Sequence, residues 1–174
     1  MMKTEIRLAT PANAFDMAEV YMRSWEVSYK DIVPADFISE KRKKSVAQME
    51  YMLNDEKLSP FQYAIFVDNV IVGVITVAPS CDEDTDDSFY ELHGIYIHPN
   101  YFRKGIGTQA VEFACGIARR LGKENMILWV FEDNTNSVNF YSKCGFVADG
   151  KAKIIDCGKE LNAIRMKMNI LSRF

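Results

Sequence analysis

One segment constrains this chain more than any other: Pro99-Asn100-Tyr101-Phe102-Arg103-Lys104-Gly105-Ile106-Gly107-Thr108. It follows an apolar, strand-like run from Leu92 to Ile97 and leads directly into a helix-like run from Gln109 to Leu121. The order is strand, glycine turn, helix. Two glycines let the backbone turn so that successive N–H groups point into one concavity. The helix behind them contributes four N–H groups without helical acceptors and a partial positive charge. Arg103 and Lys104 add two full charges beside it. Such a turn is a cradle for phosphate.

At 174 residues the chain suits one domain, 1–174, with a sizeable core, and it contains no repeat, low-complexity tract or linker. The net charge of -3 argues against a duplex nucleic-acid binder, which carries a basic stripe. Cys81, Cys115, Cys144 and Cys157 show no metal-ligand spacing, and His93 and His98 are the only histidines. Neither a metal site nor a disulfide framework is expected, and unpaired thiols suit the cytoplasm. Met1 to Arg7 has no apolar core of a leader, and no stretch approaches the ~20 apolar residues of a membrane span. A soluble cytoplasmic protein without membrane or nucleic-acid partners is the expectation.

Along the chain, Ile6 and Leu8 alternate with charged residues as a short first strand. Thr10-Pro11 starts a helix, with Thr as N-cap and Pro where its missing N–H costs nothing. Phe15, Ala18, Met22 and Trp25 recur on one face of it. Pro34 opens a second helix with Ile38, Val46, Met49 and Leu53 as its apolar stripe. The basic run Lys41-Arg42-Lys43-Lys44 reads as a solvated face of this helix, or as a grip for an acidic substrate. Phe61–Val67 and Val70–Val77 are strands joined by Asp68-Asn69, a two-residue hairpin signal.

The acidic stretch from Cys81 to Asp87 is a loop, and Phe89–Ile97 is the strand that enters the glycine turn. In the next helix Ala110, Val111, Ala114, Ile117, Ala118 and Leu121 form the core stripe, with Gly122 as its stop. Met126–Phe131 is a buried strand. Thr135–Cys144 is a short helix between Asn134 as N-cap and Gly145. Phe146–Ala148 and Glu160–Met168 close the chain as strands, with Ile164, Met166 and Met168 on one face.

Gly105-Ile106-Gly107-Thr108-Gln109-Ala110 also fits the dinucleotide fingerprint G-x-G-x-x-A. That fold needs its first glycine almost at the strand end and repeated strand–helix–strand units on a parallel sheet. Here a Pro99-containing segment intervenes, and hairpin signals flank a single crossover. A P-loop is excluded because no Gly-Lys-Ser/Thr follows four residues after a glycine.

Leu92 to Gly107 resembles the acyl-CoA-binding motif of the GNAT N-acetyltransferase superfamily, written Gln/Arg-x-x-Gly-x-Gly/Ala in its loop. Asn134-Thr135-Asn136-Ser137-Val138-Asn139-Phe140-Tyr141-Ser142-Lys143-Cys144-Gly145-Phe146 is similar to a second motif of that family, Asn-x-x-Ala-x-x-Phe-Tyr-x-x-x-Gly-Phe. Ser137 stands in the Ala place and Phe102 in the Gln/Arg place. The resemblance covers nearly the whole chain. It implies a mixed α/β (α+β) fold: a central twisted, mostly antiparallel sheet of about seven strands with about four helices. It also implies acetyl-CoA as co-substrate, an amine acceptor, and homodimers as a common assembly. The implied CoA contacts are Ile95, Tyr96, Ile97, Arg103, Lys104, Gly105, Ile106, Gly107, Thr108, Asn134 and Ser137. A catalytically silent acyl-CoA sensor or assembly module shares these features and stands as the alternative.

Acetyl transfer to an amine needs a neutral amine, an oxyanion stabiliser and a proton for the departing thiolate. At pH 7 only about one lysine-like amine in 2,000 is neutral, so a base must act. Alternation places Glu91, His93, Ile95 and Ile97 on one strand face, and Glu91 is the candidate base, with His93 the second. Glu91 lies roughly 13 Å up-strand of Ile95, whose backbone N–H matches the family's oxyanion donor. Tyr141 matches the family's general acid. For the acceptor pocket the resemblance implies Trp25 and Tyr29, with Glu91 and His93 facing it. The acidic loop Asp82, Glu83, Asp84, Asp86, Asp87 is either a lure for a cationic acceptor or a solvated hairpin loop.

Overall fold

A computed structural model of the chain describes residues 4–171. The outermost residues of the 1–174 domain reading, 1–3 and 172–174, lie outside the described residues, as does the start of the Met1-to-Arg7 segment. The strands are β1 (Thr4–Leu8), β2 (Gln62–Val67), β3 (Val70–Pro79), β4 (Phe89–Ile97), β5 (Asn125–Phe131), β6 (Val147–Asp156) and β7 (Glu160–Asn169). The helices are α1 (Ala14–Ser28), α2 (Ala35–Asn54), α3 (Ile106–Arg120) and α4 (Thr135–Lys143). The strands follow the order β1-β2-β3-β4-β5-β7-β6 in one sheet. Its described pairings are antiparallel except β4 with β5, which is parallel. This is the mixed, mostly antiparallel architecture expected, and it leaves no parallel doubly wound sheet for a dinucleotide.

The backbone gathers into two compact units. One holds the chain up to Thr76 together with Gly94–Ala110; the other holds Val77–His93 and the chain from Val111 onward. In the first, Asp68 (φ 48°) and Asn69 (φ 65°) form the two-residue turn between β2 and β3, a conformation that Asp and Asn tolerate. Met17, Ala18 and Val20 of α1, Met49 and Leu53 of α2, and Ala64, Ile71 and Val74 of the strands make its core. Thr10 and Pro11 start the helical segment as expected, with Pro11–Asn13 as a single 3₁₀ turn before α1. The Asn13 side chain accepts the Thr10 N–H at 2.9 Å.

In the second unit, Met126 and Leu128 of β5 and Met166 and Met168 of β7 form one buried face. Cys115 of α3 lies against it, its Sγ 3.9 Å from the Met126 sulfur. Alternation puts Trp129 and Arg165, which pair directly across β5 and β7, on the opposite face.

Several expectations are corrected. Phe15 is 62% exposed: the buried face of α1 runs instead through Ala14, Met17, Ala18, Met22 and Trp25. Leu121 follows the end of α3 and is likewise exposed. Helix α3 begins at Ile106, three residues ahead of Gln109, because Ile106 is itself a core residue. The strand expected over Phe146–Ala148 begins at Val147 and continues to Asp156. It has no buried face to set an alternation, being exposed along nearly its whole length, and a register shift falls between the pairs Ala148↔Met166 and Ala152↔Ile164, where Gly150 takes φ 86°. The basic run on α2 is only half solvated: Lys41 and Arg42 lie against α1, whereas Lys43 and Lys44 face solvent.

Candidate active site

The glycine turn is built in two steps. His98 N–H donates to the Val72 carbonyl at 2.8 Å, tying the end of β4 to β3. A 3₁₀ turn over Pro99–Tyr101 follows, with His98 Nδ1 accepting the Asn100 N–H at 3.3 Å. The chain then passes through two left-handed residues, Arg103 (φ 58°) and Gly105 (φ 80°). A Cβ on Gly105 would meet nothing within 4 Å, so glycine is needed there for backbone conformation rather than for space. Gly107 is different: it lies inside the first turn of α3, so the second left-handed residue is Arg103 and not Gly107.

Gln109 N–H donates to the Gly105 carbonyl at 3.2 Å as the first helical bond. The N–H groups of Ile106, Gly107 and Thr108 therefore have no acceptor within the helix. Arg103 and Lys104 are exposed beside them, and Lys104 Nζ sits 4.9 Å from the Tyr101 ring centre. These groups fit a phosphate-bearing ligand by charge and by donor supply. Phe102, in the family's polar position, is partly exposed at the same turn.

Strand β4 carries two kinds of side chain. Gly94 and Tyr96 share a face, and a Cβ on Gly94 would stand 2.6 Å from the Tyr96 ring. Tyr96 packs edge-on against Tyr21 of α1, with ring centres 4.5 Å apart, so its backbone rather than its ring is left for a cofactor. Tyr21, Trp25 and Tyr29 follow one another along α1, with 6.0 Å between the first pair of rings and 4.4 Å between the second. Lys41 Nζ lies 4.6 Å from the Trp25 ring centre and 5.2 Å from that of Tyr21. Burial, with Tyr96 and Tyr29 close by, pushes the Tyr21 phenol far above its usual range, so it stays neutral at any physiological pH. Tyr21 escaped the sequence reading. Its i, i+4, i+8 spacing with Trp25 and Tyr29 was the available signal.

Glu91 is 7% exposed, and its Oε1 lies 3.4 Å from His93 Nδ1. A carboxylate taken out of water binds its proton more tightly, and burial is what chiefly raises Glu91 above the ordinary carboxylate range. Asp82 raises it further. His93, Lys153 and a hydrogen bond from the Cys81 backbone N–H act the other way. The described β4–β5 register covers Phe89↔Asn125 to Glu91↔Ile127, while both strands run on beyond it.

Asn134 caps α4 as expected, its Oδ1 accepting the Ser137 N–H at 3.2 Å. The residue is 4% exposed, and its Nδ2 has no partner among the described residues, leaving a buried donor unspent. Tyr141 lies on α4 with its ring 5.1 Å from Phe140 and 5.8 Å from Phe146. Cys144 is buried beside it. Among the described residues no three His, Cys, Asp or Glu side chains gather as metal ligands, and no helix is long and apolar enough to cross a membrane.

The acidic loop between β3 and β4 divides: Asp82 and Asp84 bind an arginine of β7, whereas Glu83, Asp86 and Asp87 are exposed. Arg165, 5% exposed, takes Asp84 in a two-pronged grip at 2.6 and 2.8 Å, with Asp82 at 3.0 Å and Asp149 at 2.8 Å. Trp129 Nε1 donates to the same Asp82 carboxylate at 3.1 Å, and Lys153 Nζ sits 3.9 Å over the Trp129 ring. Nothing in the spacing of these residues announces the cluster, because its members come from four separate segments.

The family model for the acetyltransferase (GNAT) family matches residues 16–146. An uncharacterized N-acetyltransferase of Bacillus subtilis, YuaI, is 26% identical over 170 residues, spanning 93% of this chain and 88% of that protein. The peptidyl-lysine N-acetyltransferase YjaB of Salmonella typhimurium is 35% identical over 83 residues, 45% of this chain and 54% of that one. The fold is shared with the PaiA N-acetyltransferase of Thermoplasma acidophilum, solved with coenzyme A. That match has a TM-score of 0.74 and 24% identity, and covers 97% of this chain and 99% of the other. The chain belongs to the acetyltransferase (GNAT) family and is an N-acetyltransferase, moving an acetyl group from acetyl-CoA to an amine.

Proposed function

We propose that the acceptor is a primary amine of a small molecule or peptide, which attacks acetyl-CoA directly in a ternary complex, with Glu91 as base and Tyr141 as acid. One observation carries this reading: Glu91 is a buried carboxylate with a raised pKa, on the strand that enters the glycine turn. A carboxylate of raised pKa takes up a proton more readily than an ordinary one, as a general base requires. The acceptor ammonium gives a proton to Glu91, directly or through water. The freed lone pair attacks the thioester carbonyl, the Ile95 N–H receives the negative oxygen, and the C–S bond breaks as Tyr141 protonates the departing sulfur, while the second amine proton leaves the nitrogen and, through water, restores the Tyr141 phenol.

The N–H groups of Ile106, Gly107 and Thr108 with Arg103 and Lys104 are assigned to the CoA phosphates. The unspent Asn134 Nδ2 is assigned to its pantetheine arm, alongside Ser137 and the Ile95–Ile97 backbone. Trp25 and Tyr29, joined by Tyr21, are assigned to the acceptor, as is His93. A peptidyl-lysine acetyltransferase among the relatives supports an amine on a flexible chain. Cysteines that form no disulfide support the cytoplasm as its compartment. The reading treats the chain as one acetyltransferase domain.

Two measurements test it. Acetyl-CoA and CoA raise Tm where NADH does not, since a ligand bound only by the native state stabilises by RT ln(1 + [L]/Kd). With acetyl-CoA and a panel of primary amines, Glu91→Gln lowers kcat/KM by about 100-fold or more at pH 7, and Tyr141→Phe lowers kcat by about 10-fold. Wild-type activity falls as pH drops through a value above the ordinary carboxylate range, because the base must be ionised. An unchanged pH limb in Glu91→Gln removes Glu91 from the role.

A further inference from the structure

The described pairing of β4 with β5 ends at Glu91↔Ile127, and Trp129 is the next residue of β5 on the same face. Its Cα lies about 8 Å from that of Glu91, given ~4.8 Å between strands and ~3.3 Å per residue along them. The Trp129 ring therefore stands beside the candidate base, and every residue concerned lies in one compact unit. Three contacts hold the ring. Nε1 donates to the Asp82 carboxylate at 3.1 Å, Lys153 Nζ sits 3.9 Å from the ring centre, and the Arg165 guanidinium carbon lies 5.8 Å from it. Of the two cations, Lys153 is the one that can leave. Arg165 is buried and tied to Asp82, Asp84 and Asp149, whereas Lys153 is an exposed residue of β6.

We propose that the face of the Trp129 ring is the seat for the acceptor's ammonium group, and that Lys153 keeps that seat until the acceptor displaces it. The inference rests on Glu91 as the base and names the class of amine it serves. That class is an ammonium on an unbranched methylene chain, the form shared by a lysine side chain and a linear free amine. Lys153 is itself such a group, and its position shows that the ring face accepts one. Charge favours the same ligand. Asp82, Asp84 and Asp149 meet Arg165 and Lys151, three carboxylates against two cations, which leaves one negative charge for a further cation before Glu91 is counted. The bond from Nε1 to Asp82 also draws electron density into the indole, which strengthens its hold on a cation. An ammonium seated on the ring is brought beside Glu91 while it still carries the proton that the base removes.

Trp129 and Lys153 then act in opposite directions. Removing the ring weakens acceptor binding. Removing the lysine strengthens it, because a competitor for the seat is gone. A tryptophan that merely packs on the sheet gives no such pair, and a lysine that gripped an anionic group of the acceptor gives the reverse sign at Lys153.

One arm of the test needs no turnover. Indole N–H signals of the full chain are followed by NMR as butylammonium is added, with butanol as the neutral control and Trp25→Phe identifying the Trp129 signal. Butylammonium should move that signal and butanol should not. Lys153→Ala should lower the butylammonium midpoint about 3-fold. Lys151→Ala, which removes the same charge from the Asp84 side of the cluster, should lower it less. In the second arm, KM is measured at saturating acetyl-CoA for butylamine, α-N-acetyl-lysine amide and a lysine-containing peptide, which tells a free amine from a peptide side chain. KM should fall about 3-fold in Lys153→Ala, rise about 3-fold in Trp129→Leu and lie between wild type and Trp129→Leu in Trp129→Phe, with larger changes in KM than in kcat. If Trp129→Leu does not fold, Lys153→Ala and Trp129→Phe still decide the matter. An unmoved Trp129 signal, or a butylammonium midpoint in Lys153→Ala that is unchanged or higher, overturns the proposal. Failure of Glu91 as base shows instead in the turnover and pH limb of Glu91→Gln, and the first arm is read without either.

Discussion

Two charged runs, Lys41–Lys44 on α2 and Cys81–Asp87 before β4, look alike as sequence and differ as structure. Each is a short block of like charge beside a predicted element, and each reads as a solvated face. In α2 the run divides: Arg42 reaches Glu19 at 2.9 Å and Glu26 at 2.5 Å on α1, with 31% of its side chain still exposed. In the loop, by contrast, Asp82 and Asp84 converge with Asp149 of β6 on an arginine only 5% exposed. The lesson concerns the partner rather than the run. A charge paired at the surface is screened by water and salt, whereas removal of one member of a buried set leaves the others uncompensated.

The sharpest way to break the comparison is Arg165→Met. It should cost about 3 kcal/mol, lowering Tm by roughly 6–12 °C for a chain of this size. Arg42→Met should cost about 1 kcal/mol or less. Lys44→Ala should fall within about 0.5 kcal/mol of wild type, read from denaturant midpoints under one set of conditions. Equal losses for Arg42→Met and Arg165→Met would erase the distinction.

Salt and acid sharpen it further. At about 1 M salt the Debye length shrinks to ~3 Å, so the Arg42 difference should vanish while most of the Arg165 difference persists. The Arg165 guanidinium beside Asp84 holds that carboxyl well below the usual carboxylate range. A carboxylate lowered in the folded state stabilises the fold above its unfolded pKa and loses that contribution as pH falls toward the folded value. The Tm gap between wild type and Arg165→Met should therefore stay level from pH 7 to 5 and narrow only below about pH 4. A gap that closes by pH 5 would deny the ion pairing its part.

The strand–turn–helix segment and the α4 cap were legible because their determinants are local. Positive φ at Gly105 and the Asn134 side chain's bond to Ser137 N–H depend on a few consecutive residues. Misreadings came where the chain's neighbours decided. Helix α3 gained Ile106–Thr108 because Ile106 has a core to enter, while Phe15 kept helical spacing and faces solvent. Strand β6 is longer than its sequence suggests because it is exposed along nearly its whole length and so lacks the apolar alternation on which strand recognition depends.

The sequence by itself determined the family, the order of nearly all elements, the glycine turn, and Glu91 and Tyr141 as candidate catalytic groups. Motif residues are close in the chain, so their spacing survives without coordinates. Tertiary structure alone decided that Glu91 is buried, that Tyr96 turns its ring to Tyr21, and that Arg165 gathers Asp82, Asp84 and Asp149. Those residues come from strands, a helix and a loop far apart in the chain. Contacts of that kind depend on how distant elements pack and on the register of the sheet, which no local pattern encodes.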